Sequence, residues 1–445
     1  MKSILCGLAA VCVFLGITVQ AQQSFTLEQA IQFGLENQNA IKLANLEVAD
    51  AREQLLEFKS IGIPKISAGL DYNYFPQVPQ FLIPERFLNP DAPDDAFALL
   101  PAGTRQGMMA KVQLTGTVVD PGWIVGLRAQ ELYRDMVSKK TEISKEQVKV
   151  NITKAYLVVL ITNKNREILN QNIENLTRML RETRAVYENG FAEKLDVDRF
   201  ELSLNNLTAE LEKLDRLTLF GVNMLKFQMG YPMEQEIALA DNFEQLTAQM
   251  TVEEVQLDEP IDFDLRAEYP VINLGEQLAE LNILRYKISY LPVINAFASH
   301  QQQLQRNKLF DENENSWFPT SVIGLSLHVP IFDGLDKNAK LHRAKILLDR
   351  TRVQKSDFER GVVLEVRNAR TAVLNARKNV ETTKNSLDLA QKIYNTTQIK
   401  FKEGVGSSLE VAQAEREMYA AQANYTNALY DLLSTKTDLD KALGR

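Results

Sequence analysis

From Leu127 to Asn189 the chain contains neither glycine nor proline, and apolar residues recur along it at helical spacing. The run starts near Trp123, and a second of similar length covers about 336 to 402. At 1.5 Å per residue each reaches on the order of 100 Å, wider than any compact domain. Four shorter runs cover about 26–59, 195–228, 267–289 and 408–443. The first is capped at Ser24 or Thr26 and stopped by Gly62 and Pro64. Laid end to end, 26–59 with 195–228 equals about one long run, as does 267–289 with 408–443. The less periodic stretch 231–265 then falls near mid-length.

A chain of 445 residues is long for one globular core, so several domains or an internal repeat is expected. Its first residues place Lys2 before an apolar run, Ile4 to Val19, and then Val19-Gln20-Ala21. That is the pattern of a cleavable export signal over 1–21. Both cysteines, Cys6 and Cys12, lie inside it, so the mature chain is expected to hold no disulfide and no thiolate metal site. Val11 stands where lipoprotein processing needs a small residue, which argues against a lipid on Cys12. A net charge of −8 without clustered basic residues argues against a nucleic-acid partner. No apolar run after the leader reaches eighteen residues, so a mature chain that spans a membrane must do so with strands.

Strand patterns are present. In IPKISAGLDYNY, Ile66, Ala68, Leu70, Tyr72 and Tyr74 alternate with Ser67, Gly69, Asp71 and Asn73. In KVQLTGTVVD, Val112, Leu114 and Val118 alternate with Gln113, Thr115 and Thr117. The second half supplies LPVINAFASH and SVIGLSLHVPIFDG, with Ile323, Leu325, Leu327, Val329 and Ile331 on one face. Strands are therefore expected at about 64–75, 107–119, 292–303 and 319–332. The connections between the members of each pair are a proline-rich loop, 75–106, and a polar one, 304–318. Tyr72, Tyr74, Phe75, Trp317 and Phe318 stand at the loop ends, where interfacial aromatics belong. Two ordinary hairpins packed on a core would read the same way.

Residues 187–230 align without a gap on 401–444: Gly190 meets Gly404, Leu195 meets Leu409, Val197 meets Val411, Glu201 meets Glu415 and Gly230 meets Gly444. Two similar halves follow, 22–230 and 266–445, separated by the segment 231–265. Each runs helix, two strands, long helix, tip turn (188–195 or 402–408), helix. Four membrane strands cannot close a barrel, and an open edge in lipid strands backbone polar groups, so the chain must oligomerise. Two copies give eight strands with little interior room; three give twelve and a lumen.

In order and spacing, SFTLEQAIQFGLENQN, IPKISAGLDY, LPVINAFASH, VPIFDG and the paired turns YENGFAEKLDV and FKEGVGSSLEV resemble the TolC family of outer membrane efflux proteins across the whole mature chain. The resemblance implies a mainly α protein with membrane β structure. Long α-helical barrel hairpins in the periplasm would join a trimeric 12-stranded β-barrel in the outer membrane, with a mixed belt at 231–265. It implies the exit duct of an efflux or type I secretion system, with outer membrane lipid, a periplasmic adaptor and an inner-membrane pump as partners. The alternative is a soluble periplasmic coiled-coil scaffold.

The family's periplasmic gate corresponds here to Asp196, Glu410 and Phe401, and its adaptor-contacting tips to Gly190, Phe191, Ala192, Gly404, Val405 and Gly406. Three copies of each acid would form rings of like charge; equally, each acid stands where it complements a helix dipole. The family's gate arginine falls on Gly406 and its tyrosine on Phe401, so its latch cannot form as such, and Glu193, Lys194 or Lys402 are the candidate substitutes. No catalytic residues, cofactor or metal are expected. His300, His328 and His342 are the only histidines, with His300 and His328 on strands that could be neighbours, and GVGSS lacks the lysine of a phosphate loop.

Overall fold

The structure is a computed structural model that describes residues 23–249, 260–308 and 317–445. The expected leader at 1–21 with its two cysteines, part of the segment 231–265 and the middle of the polar connection lie outside the described residues. In chain order the elements are β1 (Gln23–Phe25), α1 (Leu27–Asn37), α2 (Asn39–Ser60), β2 (Lys65–Tyr74), β3 (Gln80–Pro84), β4 (Phe97–Pro101), β5 (Gln106–Val119) and α3 (Pro121–Glu188). They continue with α4 (Lys194–Met229), β6 (Ile237–Leu239), α5 (Phe243–Gln249), α6 (Glu268–Ile288), β7 (Val293–Arg306), β8 (Trp317–His328), α7 (Asp336–Lys402) and α8 (Ser408–Leu443). Contacts divide the chain into two compact units. One comprises the described chain up to Leu43 with the described residues of Glu142–Arg266 and Val362–Arg445; the other comprises Ala44–Thr141 and the described residues of Ala267–Gly361.

The first unit is helical, with β1 and β6 paired in parallel. Its main core joins Ile152, Tyr156, Leu157 and Val159 of α3 to Leu225 and Met229 of α4, Leu433 of α8 and Phe25. Thr26 caps α1 in a reciprocal capping box with Gln29. The helical run beginning at 26 is not continuous to 59, however. Gln38 adopts an extended conformation and separates α1 from α2, although neither glycine nor proline is present there. The cause is tertiary and polar together. Gln38 Oε1 accepts from Ala40 N at 2.6 Å and restarts the helix, while the turn at Gly230 presses on the break. A Cβ on Gly230 would sit 2.9 Å from Asn37 O. The end of α8 is as tight, since a Cβ on Gly444 would lie 2.3 Å from Leu265 O. Arg266, buried beside it, donates to Ala442 O at 2.9 Å and pairs with Glu365 at 3.0 Å.

The second unit carries a four-stranded antiparallel sheet in the order β2-β5-β7-β8. Register sorts its side chains by face. Ile66 opposes Leu114, Leu114 opposes Ala298, and Ala298 opposes Ile323, so one face is mainly apolar across all four strands, with His300, Gln302 and Ser321 as polar residues on it. On the other, Ser67 opposes Gln113 and Gln113 opposes Ser299. The alternation proposed for Val118 fails at a bulge: Thr117 pairs with Asn295 and Val119 with Ile294, leaving Val118 between them. His300 opposes Ser321 while His328 opposes Val293, which puts the two histidines on opposite faces of neighbouring strands, unable to share a ligand. The loop 75–106 also differs from expectation. It contains the hairpin β3–β4 and a short 3₁₀ turn at Glu85–Phe87, because Phe81, Leu82 and Ile83 meet Leu100, Leu99 and Ala98 in register.

One buried node ties β1 and β6 to α3. Tyr156 Oη lies 2.9 Å from Phe25 O and 2.8 Å from Asp241 Oδ2, and the same carboxylate oxygen accepts from Leu27 N at 2.7 Å. Burial, reinforced by Asp241, raises the Tyr156 hydroxyl well above its ordinary range. Removing that hydroxyl takes away the one O–H donor that the Phe25 carbonyl and the Asp241 carboxylate share in the core. Tyr156→Phe is therefore expected to destabilise the helical unit by roughly 1 to 3 kcal/mol, read as a lowered denaturant midpoint at unchanged m-value.

Candidate functional site at the paired turns

The duplicated turns fold alike in the helical unit. After α3, Gly190 N donates to Tyr187 O at 2.8 Å and Phe191 N to Val186 O at 3.0 Å. After α7, Gly404 N donates to Phe401 O at 3.0 Å and Val405 N to Lys400 O at 3.0 Å. Both glycines have positive φ, 83° and 76°, which a residue with a Cβ enters at a cost. Beyond the glycine the turns part company. The second folds back so that Gly406 N also reaches Lys400 O, and a Cβ at 406 would meet Phe401 N at 3.1 Å. Any side chain there crowds the backbone, so the turn that lacks the arginine is also shaped for glycine. Phe191 and Val405 project at the tips, 85% and 78% exposed.

Both acids singled out from the sequence stand in first helical turns. Glu193 caps α4 and its backbone N–H donates to Asp196 Oδ2 at 3.4 Å; Ser407 Oγ accepts from Glu410 N at 3.2 Å at the start of α8. There the likeness ends. Glu410 is exposed, and its carboxylate makes no ion pair among the described residues. Asp196 instead reaches across to the other turn: Ser408 Oγ donates to Asp196 Oδ1 in a close contact and accepts from Arg199 Nη1 at 2.9 Å. Arg199 lies 3.8 Å from the same carboxylate oxygen. Asp196, Ser408 and Arg199 thus bridge the first turns of α4 and α8. Ser408, only 1% exposed, is shielded from competing water.

Of the candidate substitutes for the missing latch, Glu193 is occupied as a helix cap and Lys402 pairs with Glu182 at 3.4 Å. The Phe401 side chain has no polar atom for a latch and packs edge-on against Phe200, ring centroids 5.6 Å apart. Neither Ser408 nor Arg199 stands out from the duplication, because their aligned counterparts are Lys194 and Gln413. What marks Ser408 in the sequence is only the serine pair at the helix start, which reads as capping.

Beneath the turns, α3, α4, α7 and α8 share a core of Leu176, Met179, Leu180, Val197, Phe200, Tyr394, Val411 and Met418. Into it α8 inserts Glu415, 1% exposed. Its Oε1 accepts from Tyr419 Oη at 2.7 Å, while its buried Oε2 has no partner among the described residues. Its duplicate, Glu201, sits in the open and pairs with Arg184 at 3.2 Å. Burial pushes the Glu415 carboxyl up to about 7, and the bond from Tyr419 offsets only part of that. Burial and then the Glu415 charge push Tyr394 up to about 12; burial raises Tyr419 beyond that. Among the described residues no three His, Cys, Asp or Glu side chains are grouped to hold a metal ion.

Residues 277–445 match the family described as Outer membrane efflux protein. The outer membrane protein TolC of Escherichia coli is 21% identical over 413 residues, covering 88% of this chain and 77% of TolC. The chain is therefore similar to the TolC-like outer membrane efflux proteins. Among its relatives, nodulation protein T of Rhizobium leguminosarum bv. trifolii is 21% identical over 281 residues, 61% of this chain. The chain spans 58% of that relative's length. The crystal structure of VceC from Vibrio cholerae shares the fold, with a TM-score of 0.69 at 15% identity over 94% of this chain and 96% of VceC. Within this TolC-like fold, the Asp196–Ser408–Arg199 bridge and the buried Glu415 both lie at the paired turns.

The proton on Glu415 has a measurable consequence. The folded chain holds it up to about pH 7 and the unfolded chain only up to about 4.5. The Glu415 contribution to stability is therefore fully present below about pH 4.5 and is lost as the pH rises through 7. The loss amounts to roughly 3 kcal/mol. Glu415→Gln keeps the shape without the charge. The stability difference, variant minus wild type, is expected to grow from pH 5 to pH 8 in denaturant titrations. A constant difference would mean that the carboxyl does not titrate in this range.

Proposed function

We propose that this chain is the passive exit duct of a tripartite efflux or type I secretion system, working as a homotrimer in the outer membrane and reaching into the periplasm. The observation that carries this reading is the sheet β2-β5-β7-β8, mainly apolar on one face and polar on the other, with both edge strands open. Three copies joined edge to edge supply twelve strands, an apolar belt for lipid and a polar lumen. Such a conduit has no need of catalytic groups. Selection of cargo then rests with an inner-membrane pump and a periplasmic adaptor. The apolar tips, Phe191 and Val405 with Gly190, Ala192, Gly404 and Gly406 around them, are the proposed adaptor contact.

The turns themselves are the proposed gate. Asp196 and Glu410 in three copies place six carboxylates around one aperture, and like-charge repulsion there grows as the aperture narrows. Asp196 is held by Ser408 and Arg199, which fastens the α3–α4 hairpin to the α7–α8 hairpin. The Phe401–Phe200 contact is the apolar part of the same fastening. Opening separates the two hairpins and breaks a charge-assisted bridge worth roughly 1.5 to 3 kcal/mol.

Two measurements test this. Light scattering of the detergent-purified protein is expected to give a trimer; recovery as a monomer without detergent would overturn the duct. In planar bilayers, Ser408→Ala and Asp196→Asn are each expected to raise open probability several-fold. Glu410→Gln is expected to lower cation preference with little effect on opening. Unaltered gating in both latch variants would remove the bridge from the gate.

A further inference from the structure

The hairpin β3–β4 is a continuation of the β2–β5 ribbon past the end of the sheet. Phe75 N donates to Arg105 O at 2.7 Å and Ala102 N to Pro79 O at 2.7 Å, carrying the pairing from Tyr74–Gln106 up to Gln80–Pro101. The neighbouring strand β7 ends at Arg306, opposite Gln106, so among the described residues no strand of the sheet accompanies the ribbon further. Within the sheet only one face is mainly apolar. In the projecting ribbon both are: Phe81, Ile83 and Leu100 lie on one side, Leu82, Leu99 and Phe97 on the other, and all but Ile83 are exposed. A two-stranded hairpin with no cover is marginal in water, and two bare apolar faces make it a liability.

Lipid is a poor occupant. A bilayer surface covers one face of a ribbon, and the connecting segment 85–96 carries Glu85, Asp91, Asp94 and Asp95 against the single cation Arg86, which pairs with Asp94. The position of the ribbon favours protein. It rises from β2, the open edge strand, where a second copy must bring its own open edge β8 for the barrel to close. Strand β8 begins at Trp317 and Phe318, both exposed and at the same end of the sheet as Tyr72 and Tyr74.

Building on the trimer proposed above, we infer that each β3–β4 ribbon crosses the seam and packs on the neighbouring copy, beside the exposed start of its β8. It forms an apolar clasp between copies at the loop end of the barrel. Its two faces are then covered by the two chains that meet at the seam.

The test is site-specific photocross-linking of the full chain in membranes, with p-benzoylphenylalanine in place of Phe81 on one face and of Phe97 on the other. Labelled and unlabelled copies are mixed so that adducts between copies are distinguishable by mass. At least one position is expected to give covalent dimers mapping to another copy, and Leu82→Asp with Leu99→Asp is expected to reduce them at least tenfold. The same double substitution is expected to shift trimer dissociation to lower temperature. If light scattering shows a trimer but adducts form only to lipid or within one chain, or not at all, the clasp is overturned and the duct stands. If no trimer forms, the duct reading falls and the clasp with it.

Discussion

An unpaired backbone amide or carbonyl in hydrocarbon costs several kcal/mol, and this chain ends its sheet with two rows of them, one along β2 and one along β8. Among the described residues no further strand pairs with either row. For the proposed outer membrane duct the consequence is assembly. The apolar face of the sheet acquires a purpose only when the edges are paired, and the polar face becomes a lumen only when the sheet closes.

The helical unit answers a different demand, which is to keep long helices together without a large globular core. It does so with discrete fasteners spaced along the bundle. Tyr156 and Asp241 tie the short strands β1 and β6 to α3. Arg266 holds the end of α8. At the turns, Asp196, Ser408 and Arg199 bridge the two hairpins above the core that contains Glu415. The duplicated halves are not used identically. Glu201 faces outward in an ordinary surface pair, while its counterpart Glu415 is buried with one oxygen unsatisfied among the described residues. Such an asymmetry within a repeat places the cost of a buried carboxyl in one hairpin only, next to the proposed gate.

Much of this was legible in the chain itself. Helices α3, α4, α7 and α8 are marked by uninterrupted periodicity and bounded by glycine turns, and the four sheet strands by alternation, since both patterns are local. The break at Gln38 was not, because it arises where a distant glycine, Gly230, approaches the helix. The hairpin β3–β4 was hidden by six prolines that read as loop; two of them, Pro84 and Pro101, in fact close the strands. At the candidate site, the acids and the glycines were found by repeat alignment. Ser408 and Arg199 were missed because the bridge they form is not itself repeated.

By itself, then, the sequence determined the period of each segment, its duplication and its direction: long helices, two strand pairs, two equivalent turns. Those follow from spacing along one chain, where 3.6 and 2 residues per repeat are distinguishable without a partner. Only the tertiary structure decided which of two matching acids is bridged and which is free, which of two matching glutamates is buried, and that a proline-rich loop is a ribbon with two apolar faces. Burial and pairing depend on what a side chain meets from elsewhere in the molecule, and identical local patterns can meet different neighbours.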